Sequence, residues 1–338
     1  MNTINLAYDD CACARKMTPR GAHKLRPRLE DAERPPLKPP SGIRHQGADR
    51  TISLLRRSSS EIGWAETIIH RVTIIERNPM STTPIHWTGG TPTEAVDLLS
   101  GEGGIAVVAT KVGYIIMTSD KEGLERKFDA KERNRNKPGV VLVSSLEMLR
   151  KLAQLTPEID SLYERCWNED VLLGCILPWS ESGKASLPAD GSDELMMDTR
   201  GTSCFVIKFG LPAENTAREL YEKHGKITFA SSANPSGKGN RGLVEGIGER
   251  IFEAADVIIE ADDYVASIQP DKDADSRYEQ GVMVSMVDVF GTLVPEQNGQ
   301  RSITPAPTLI RKGLAVDRIM SLLADTFSSW DYRQGEYY

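Results

Sequence analysis

"ITFASSANPSGKGNRG", residues 227–242, leaves an apolar segment through a run of hydroxyls and small side chains. The β-branched and apolar start, Ile227-Thr228-Phe229-Ala230, reads as a strand. It stops at Ser231-Ser232-Ala233-Asn234, and Pro235-Ser236-Gly237 signals a turn. Two accounts fit such an exit. Gly, Pro, Asn and Ser dominate turns because each solves a backbone problem without any ligand. Small residues also let a backbone approach a phosphate, while hydroxyls and free N–H groups donate to its oxygens. The stretch alone supports a polar loop or a ligand cradle, and its surroundings must decide.

Upstream, "TSCFVIKFG" (202–210) reads as a strand, and "PAENTARELYEKHG" (212–225) as a helix closed by Gly225. Downstream lie a helix over "GLVEGIGERIFEAA" (242–255) and strands at "DVIIE" (256–260), "VMVSMVDVF" (282–290) and "PTLIRKG" (307–313). Nearer the start, "TPTEAVDLL" (91–99) offers Thr91 as N-cap, Pro92 at the first helical position and Glu94 three residues on, a capping box. A buried strand, "GGIAVVAT" (103–110), precedes a helix with a basic end, "DKEGLERKFDAKERN" (120–134). The strand "GVVLV" (139–143) and a helix capped by Ser145, "SSLEMLRKLAQL" (144–155), follow. Strands alternating with helices predict an α/β sandwich around a largely buried sheet.

The 338 residues are 39% hydrophobic and 26% charged, a composition that fits a packed core. No apolar run approaches the roughly 18 residues of a membrane span. Residues 1–80 hold 14 Lys/Arg against 9 Asp/Glu, and that net of +5 against −7 for the whole chain leaves −12 on the remainder. An acidic bulk argues against a surface that coats duplexes, which needs a basic face. "RPRLEDAERPPLKPPSG" and "LLRRSSSE" can bury little. Residues 1–79 are therefore read as a disordered extension, or as lying before the true start at Met80, and as outside the fold. The five cysteines lack paired metal-site spacing, and an odd count without a signal peptide fits a reducing, cytoplasmic setting. Cys175 and Cys204, within apolar runs, are expected in the core.

Four clusters can carry chemistry. Lys131-Glu132-Arg133, followed by Arg135 and Asn136-Lys137-Pro138, is either a solvated helix end or a cation group around a polyphosphate. Ala109-Thr110-Lys111-Val112-Gly113-Tyr114 closes a central strand, where open α/β sheets bind ligands. Lys208 stands inside an apolar run, so it either faces outward or meets an anion. The loop after Phe229 is the fourth.

In this order the clusters resemble the YrdC family of threonylcarbamoyl-AMP synthases. The resemblance spans residues 91–316, with "SSANPSG" and "KERNRNKP" its most specific pieces, then Ser-x-Val-Asp and Arg-x-Gly. It implies a YrdC-like twisted, largely buried mixed sheet flanked by helices, within a synthase domain over residues 85–316 and a C-terminal helix and tail over 317–338. It also implies condensation of L-threonine, bicarbonate and ATP to threonylcarbamoyl-adenylate and pyrophosphate. A downstream complex would then transfer the carbamoyl-threonine to tRNA. Mg²⁺ would come with ATP, held by substrate and water and not by protein side chains.

Carried across by position, Lys131 and Arg133 would be catalytic. Arg133, Lys137, Ala230, Ser232, Asn234, Asn240 and Arg311 would bind ATP, and Thr110, Lys208 and Ser285 the threonine. This chain departs from the family at Ala109, at Asn168-Glu169-Asp170 in place of Pro-Gly-Pro, at Cys204 in place of threonine, and at Lys208 in place of arginine. These changes fall mostly on the amino-acid side. Two further readings follow: the same chemistry on another amine, or a non-enzymatic module that contacts tRNA or double-stranded RNA.

Overall fold

The protein is described by a computed structural model that covers residues 82–131, 139–235 and 239–335. The expectation for residues 1–79, and the placing of Arg133 and Lys137, lie outside the described residues. Short β1 (Ile85–His86) leads into α1 (Thr93–Ser100), β2 (Ala106–Thr110), β3 (Gly113–Thr118) and α2 (Lys121–Lys131). After β4 (Val140–Leu142) come α3 (Leu146–Leu152), α4 (Pro157–Asn168), β5 (Leu173–Pro178), α5 (Glu181–Ala185) and α6 (Asp193–Met196). Next are β6 (Thr202–Ile207), α7 (Leu211–His224), β7 (Thr228–Ser232), α8 (Glu249–Ala254), β8 (Val257–Glu260) and α9 (Asp262–Ile268). The last elements are β9 (Val282–Ser285), β10 (Thr308–Arg311), α10 (Val316–Thr326) and β11 (Asp331–Tyr332).

The strands form one mixed sheet in the order β1-β8-β2-β3-β7-β4-β6-β5-β9-β10-β11. β7, which carries the opening motif, lies between β3 and β4 and runs antiparallel to both. Both faces of the sheet are covered. On one, α3, α4 and α10 pack Leu149, Leu162, Tyr163 and Leu322 against Phe205, Cys175 and Phe229. On the other, α1 and α7 bury Leu99, Ala213 and Leu220 against Val108 and Met117. A sheet covered on both faces explains the near-continuous apolar strands.

The local signals were partly right. Ser145 caps α3, its hydroxyl accepting from Met148 N at 3.0 Å, and Gly225 closes α7 in the left-handed conformation. Thr91 forms no capping box: α1 begins at Thr93 after Pro92, with no side-chain cap. The helix expected over 242–255 is interrupted. A short 3₁₀ turn at Val244–Ile247 ends at Gly248, whose φ of 85° no helix accommodates, and α8 starts after it. The strand expected over 282–290 ends at Ser285, and the chain then turns so that Val287 bridges Leu293. Strands β3 and β5, absent from the sequence reading, flank the central β7-β4-β6 strands on either side.

Candidate functional site

Strand alternation builds the floor of a cavity of about 510 Å³. Leu142 pairs with Val206, Val206 with Gly174, Gly174 with Met283 and Met283 with Arg311, one row across five strands. A second row runs through Ala230, Val140 and Cys204. All eight residues line the cavity. Its floor is apolar and its rim polar: Thr110, Lys131, Ser232, Asn234 and Glu279 join Arg311 there.

Lys131, the last residue of α2, reaches the exit of β7. Its ammonium donates to the carbonyl oxygens of Ser232 and, at 3.2 Å, of Asn234, with the Ser232 hydroxyl 3.4 Å away. The exit loop is thus tied to the cation at the rim. Arg311 donates Nε–H to Gly281 O at 3.0 Å. The Thr110 hydroxyl is committed to the turn between β2 and β3: it donates to Gly113 O at 2.6 Å and accepts from Val112 N at 3.3 Å. Ser231, only 4% exposed, lines the cavity too, and its hydroxyl has no hydrogen-bond partner among the described residues.

Of the residues assigned from sequence, the cavity gathers Thr110, Lys131, Ala230, Ser232, Asn234 and Arg311. Asn240, Ser285 and Lys208 do not line it. The Asn240 amide donates to Tyr114 O at 3.1 Å and Ala233 O at 3.0 Å, and its Oδ1 accepts from Gly242 N at 3.1 Å. It brackets the loop onto β3. Gly113 is the residue that admits it: at φ 117°, a Cβ there would stand 2.1 Å from Asn240 Oδ1. The Ser285 hydroxyl donates to Val287 O at 3.1 Å, inside its own turn. Lys208 lies one residue beyond β6 and meets an anion: its ammonium is 3.3 Å from Asp170 Oδ1 and 4.6 Å from the centre of the Trp167 ring.

Sequence reasoning missed Glu279, Gln280 and Gly281, which close one side of the cavity. They end a charged loop that reads as solvated surface, so no local signal marked them. Glu279 accepts from Arg241 N at 2.5 Å, linking that loop to the one after β7. The thiol at the floor is held protonated near neutrality. Burial pushes Cys204 up to about 12, with Arg311 pulling the other way, so thiolate is scarce near neutrality. Among the described residues no group of three or more His, Cys, Asp or Glu is placed to hold a metal ion, and no helix is long and apolar enough to cross a membrane.

A family model for the Sua5, YciO and YrdC domain, described as telomere recombination, matches residues 99–272. The crystal structure of the hypothetical protein smu.1377c from Streptococcus mutans UA159 is 62% identical, covers 76% of this chain and 99% of its own, and superposes with a TM-score of 0.72. E. coli YciO is 16% identical, with 69% of this chain and 96% of its own covered and a TM-score of 0.49. P. abyssi Sua5 complexed with L-threonine is 22% identical, with 68% and 56% covered and a TM-score of 0.48. No curated protein matches the chain.

Proposed function

Because this chain belongs to the Sua5, YciO and YrdC family, we propose that its cavity uses ATP to activate a carbamate, condensing L-threonine, bicarbonate and ATP to threonylcarbamoyl-adenylate and pyrophosphate. The product would serve threonylcarbamoyladenosine modification of tRNA through a downstream transfer complex. The observation that carries the reading is the convergence of Lys131, Ser232, Asn234 and Arg311 on one rim above an apolar floor. A nucleobase and sugar suit that floor, and the β7 exit with Lys131 suits phosphate oxygens. Bicarbonate loses water to give CO₂, which the threonine amine takes up as a carbamate with release of a proton; a carbamate oxygen then forms a bond to the α-phosphorus while the bond to pyrophosphate breaks. Charge develops on phosphate oxygens, so fixed cations and N–H donors supply most of the catalysis.

Arg133 and Lys137 are proposed to join Lys131 around the phosphates. Mg²⁺ would neutralise the triphosphate; Glu279 is the one carboxylate among the described lining residues, which suits an ion held mainly by phosphate and water. A second reading, the same chemistry on another amine, is favoured by one observation: Lys208 is turned onto Asp170.

The test is pyrophosphate release from ATP and bicarbonate across a panel of amino acids and other amines, with Lys131→Ala beside the natural chain. Release with threonine is expected. Lys131→Ala should lose about tenfold to a hundredfold in ATP affinity, the scale of one charge-assisted contact. Release with no amine at all would defeat the proposal. So would a Lys131→Ala protein that binds and turns over ATP unchanged.

A further inference from the structure

Glu279 is the one carboxylate among the described lining residues of a cavity whose other charged groups, Lys131 and Arg311, are cations. Its neighbours in the chain are fixed on both sides. Gln269, 5% exposed, brackets Tyr278: it accepts from Tyr278 N at 2.8 Å and donates Nε2–H to Tyr278 O at 3.0 Å. Gln280 O accepts from Leu314 N at 2.9 Å, and its Nε2 donates to Lys312 O at 3.0 Å. The Glu279 carboxylate itself lies against the backbone of the loop after β7. Its Oε1 accepts from Arg241 N, and a Cβ at Gly239 would stand 1.7 Å from its Oε2. That Oε2 has no hydrogen-bond partner among the described residues.

A carboxylate fixed on a cavity wall turns phosphate oxygens away and accepts from donors. On that wall the charges of Glu279 and Arg311 cancel. At the β7 exit Lys131 meets only carbonyl and hydroxyl oxygens, so phosphates belong there. Glu279 precedes β9, which stands four places from β7 in the sheet, about 19 Å at the usual strand spacing. A nucleoside triphosphate with its phosphates at β7 lies along that span, over the floor that Val206, Gly174 and Met283 make. Its ribose carries two adjacent hydroxyls, a pair of donors that one carboxylate accepts together. An ammonium would also suit the carboxylate. Such a partner would hold the amine protonated, whereas the proposed reaction needs it as the free nucleophile.

We propose that Glu279 accepts from the 2′ and 3′ hydroxyls of the bound nucleotide, so that the cavity selects ribonucleoside over deoxyribonucleoside triphosphates. The choice of a nucleotide as ligand rests on the function proposed above. A purely structural role is the competing account, with Glu279 clasping the loop before β9 to the loop after β7 and touching no ligand. Loss of a clasp weakens every nucleotide alike. Loss of a contact to the diol weakens only the nucleotides that carry one.

The experiment is calorimetric binding of ATP, 2′,3′-dideoxy-ATP and L-threonine to the full chain, to Glu279→Ala and to Glu279→Gln, with Mg²⁺ present and with Mg²⁺ chelated. The natural chain should prefer ATP to dideoxy-ATP by about tenfold to a hundredfold, the scale of a charge-assisted contact. The preference should be the same with Mg²⁺ chelated. Glu279→Ala should bind the two nucleotides alike. Glu279→Gln, which keeps the shape and an acceptor for Arg241 N, should melt like the natural chain and show a smaller preference. A natural chain that binds both nucleotides equally overturns the proposal and leaves the proposed function standing. So does an alanine variant that keeps the preference, as a clasp alone would. A preference that vanishes without Mg²⁺ assigns the carboxylate to the ion, and a variant weakened for L-threonine alone assigns it to the amine; either result overturns the proposal. Should the alanine variant not fold, a glutamine variant with the full natural preference overturns it. A natural chain that binds neither nucleotide defeats the proposed function, and this proposal with it.

Discussion

Asn240 shows how a polar residue in a motif can serve the backbone. Its side chain satisfies two carbonyls and one amide of two separate segments while 5% exposed. Removing it takes that partner from Ala233 O and Gly242 N, whereas Tyr114 O still accepts from Ala233 N at 2.8 Å, a cost of about 1–3 kcal/mol. Asn240→Ala should therefore lower stability to chemical denaturation by about that amount, and weaken ATP binding only through the loosened loop. If the variant instead melts like the natural protein and loses ATP affinity alone, Asn240 contacts nucleotide directly and the bracket is incidental. Asn240→Asp should be worse than alanine, because it turns a carboxylate oxygen toward the carbonyls of Tyr114 and Ala233.

At the scale of elements, the break between the 3₁₀ turn and α8 keeps the loop after β7 in place. Gly248 has φ 85° and ψ 150°, a region that is in practice restricted to glycine. A Cβ there would stand 2.8 Å from Pro235 Cγ, at the end of the Ser-Ser-Ala-Asn-Pro exit. Gly248→Ala is predicted to destabilise by about 1–3 kcal/mol. It should also reduce ATP affinity, since either Pro235 or α8 must shift. Denaturant unfolding and nucleotide titration on the same protein check both parts. A variant as stable as the natural chain would mean that α8 can begin earlier, as the sequence pattern suggests.

For the whole molecule, acid is the informative variable. Arg318 holds the Glu169 carboxyl below its usual range. For Asp190 and Glu260 burial is the largest influence and pushes upward, yet hydrogen bonds outweigh it and both also end low. A carboxyl depressed in the folded state contributes stability above its unfolded value and loses it as pH falls through the folded one. Asp262 acts in the opposite sense: burial raises it, so its contribution fades as pH rises through its folded value. The depressed set, Asp170 included, is the larger. Melting temperature should therefore fall once pH drops below about 4. Melting curves across pH at constant ionic strength check this. A protein equally stable at about pH 3 and pH 6 would show that these contacts contribute nothing net.

The alternation of strands and helices, though not β3, β5 or the helices around β5, the caps at Ser145 and Gly225, and the family were legible in the chain, because period, capping and motif order are local properties. So was the strand-to-loop exit at Ser232. Packing decided the rest. Whether Thr91 or Thr93 starts α1 depends on how α1 sits against the sheet. Whether residues 242–255 are one helix depends on Pro235, which lies outside that segment. Only register brings Leu142, Val206, Gly174, Met283 and Arg311 into one row. Glu279 reaches the cavity on a loop whose composition signals only solvent. Lys208 drew notice in sequence as a cation that must meet an anion. That the anion is Asp170 depends on two turns meeting in space, and no spacing along the chain encodes a contact between side chains that far apart in sequence.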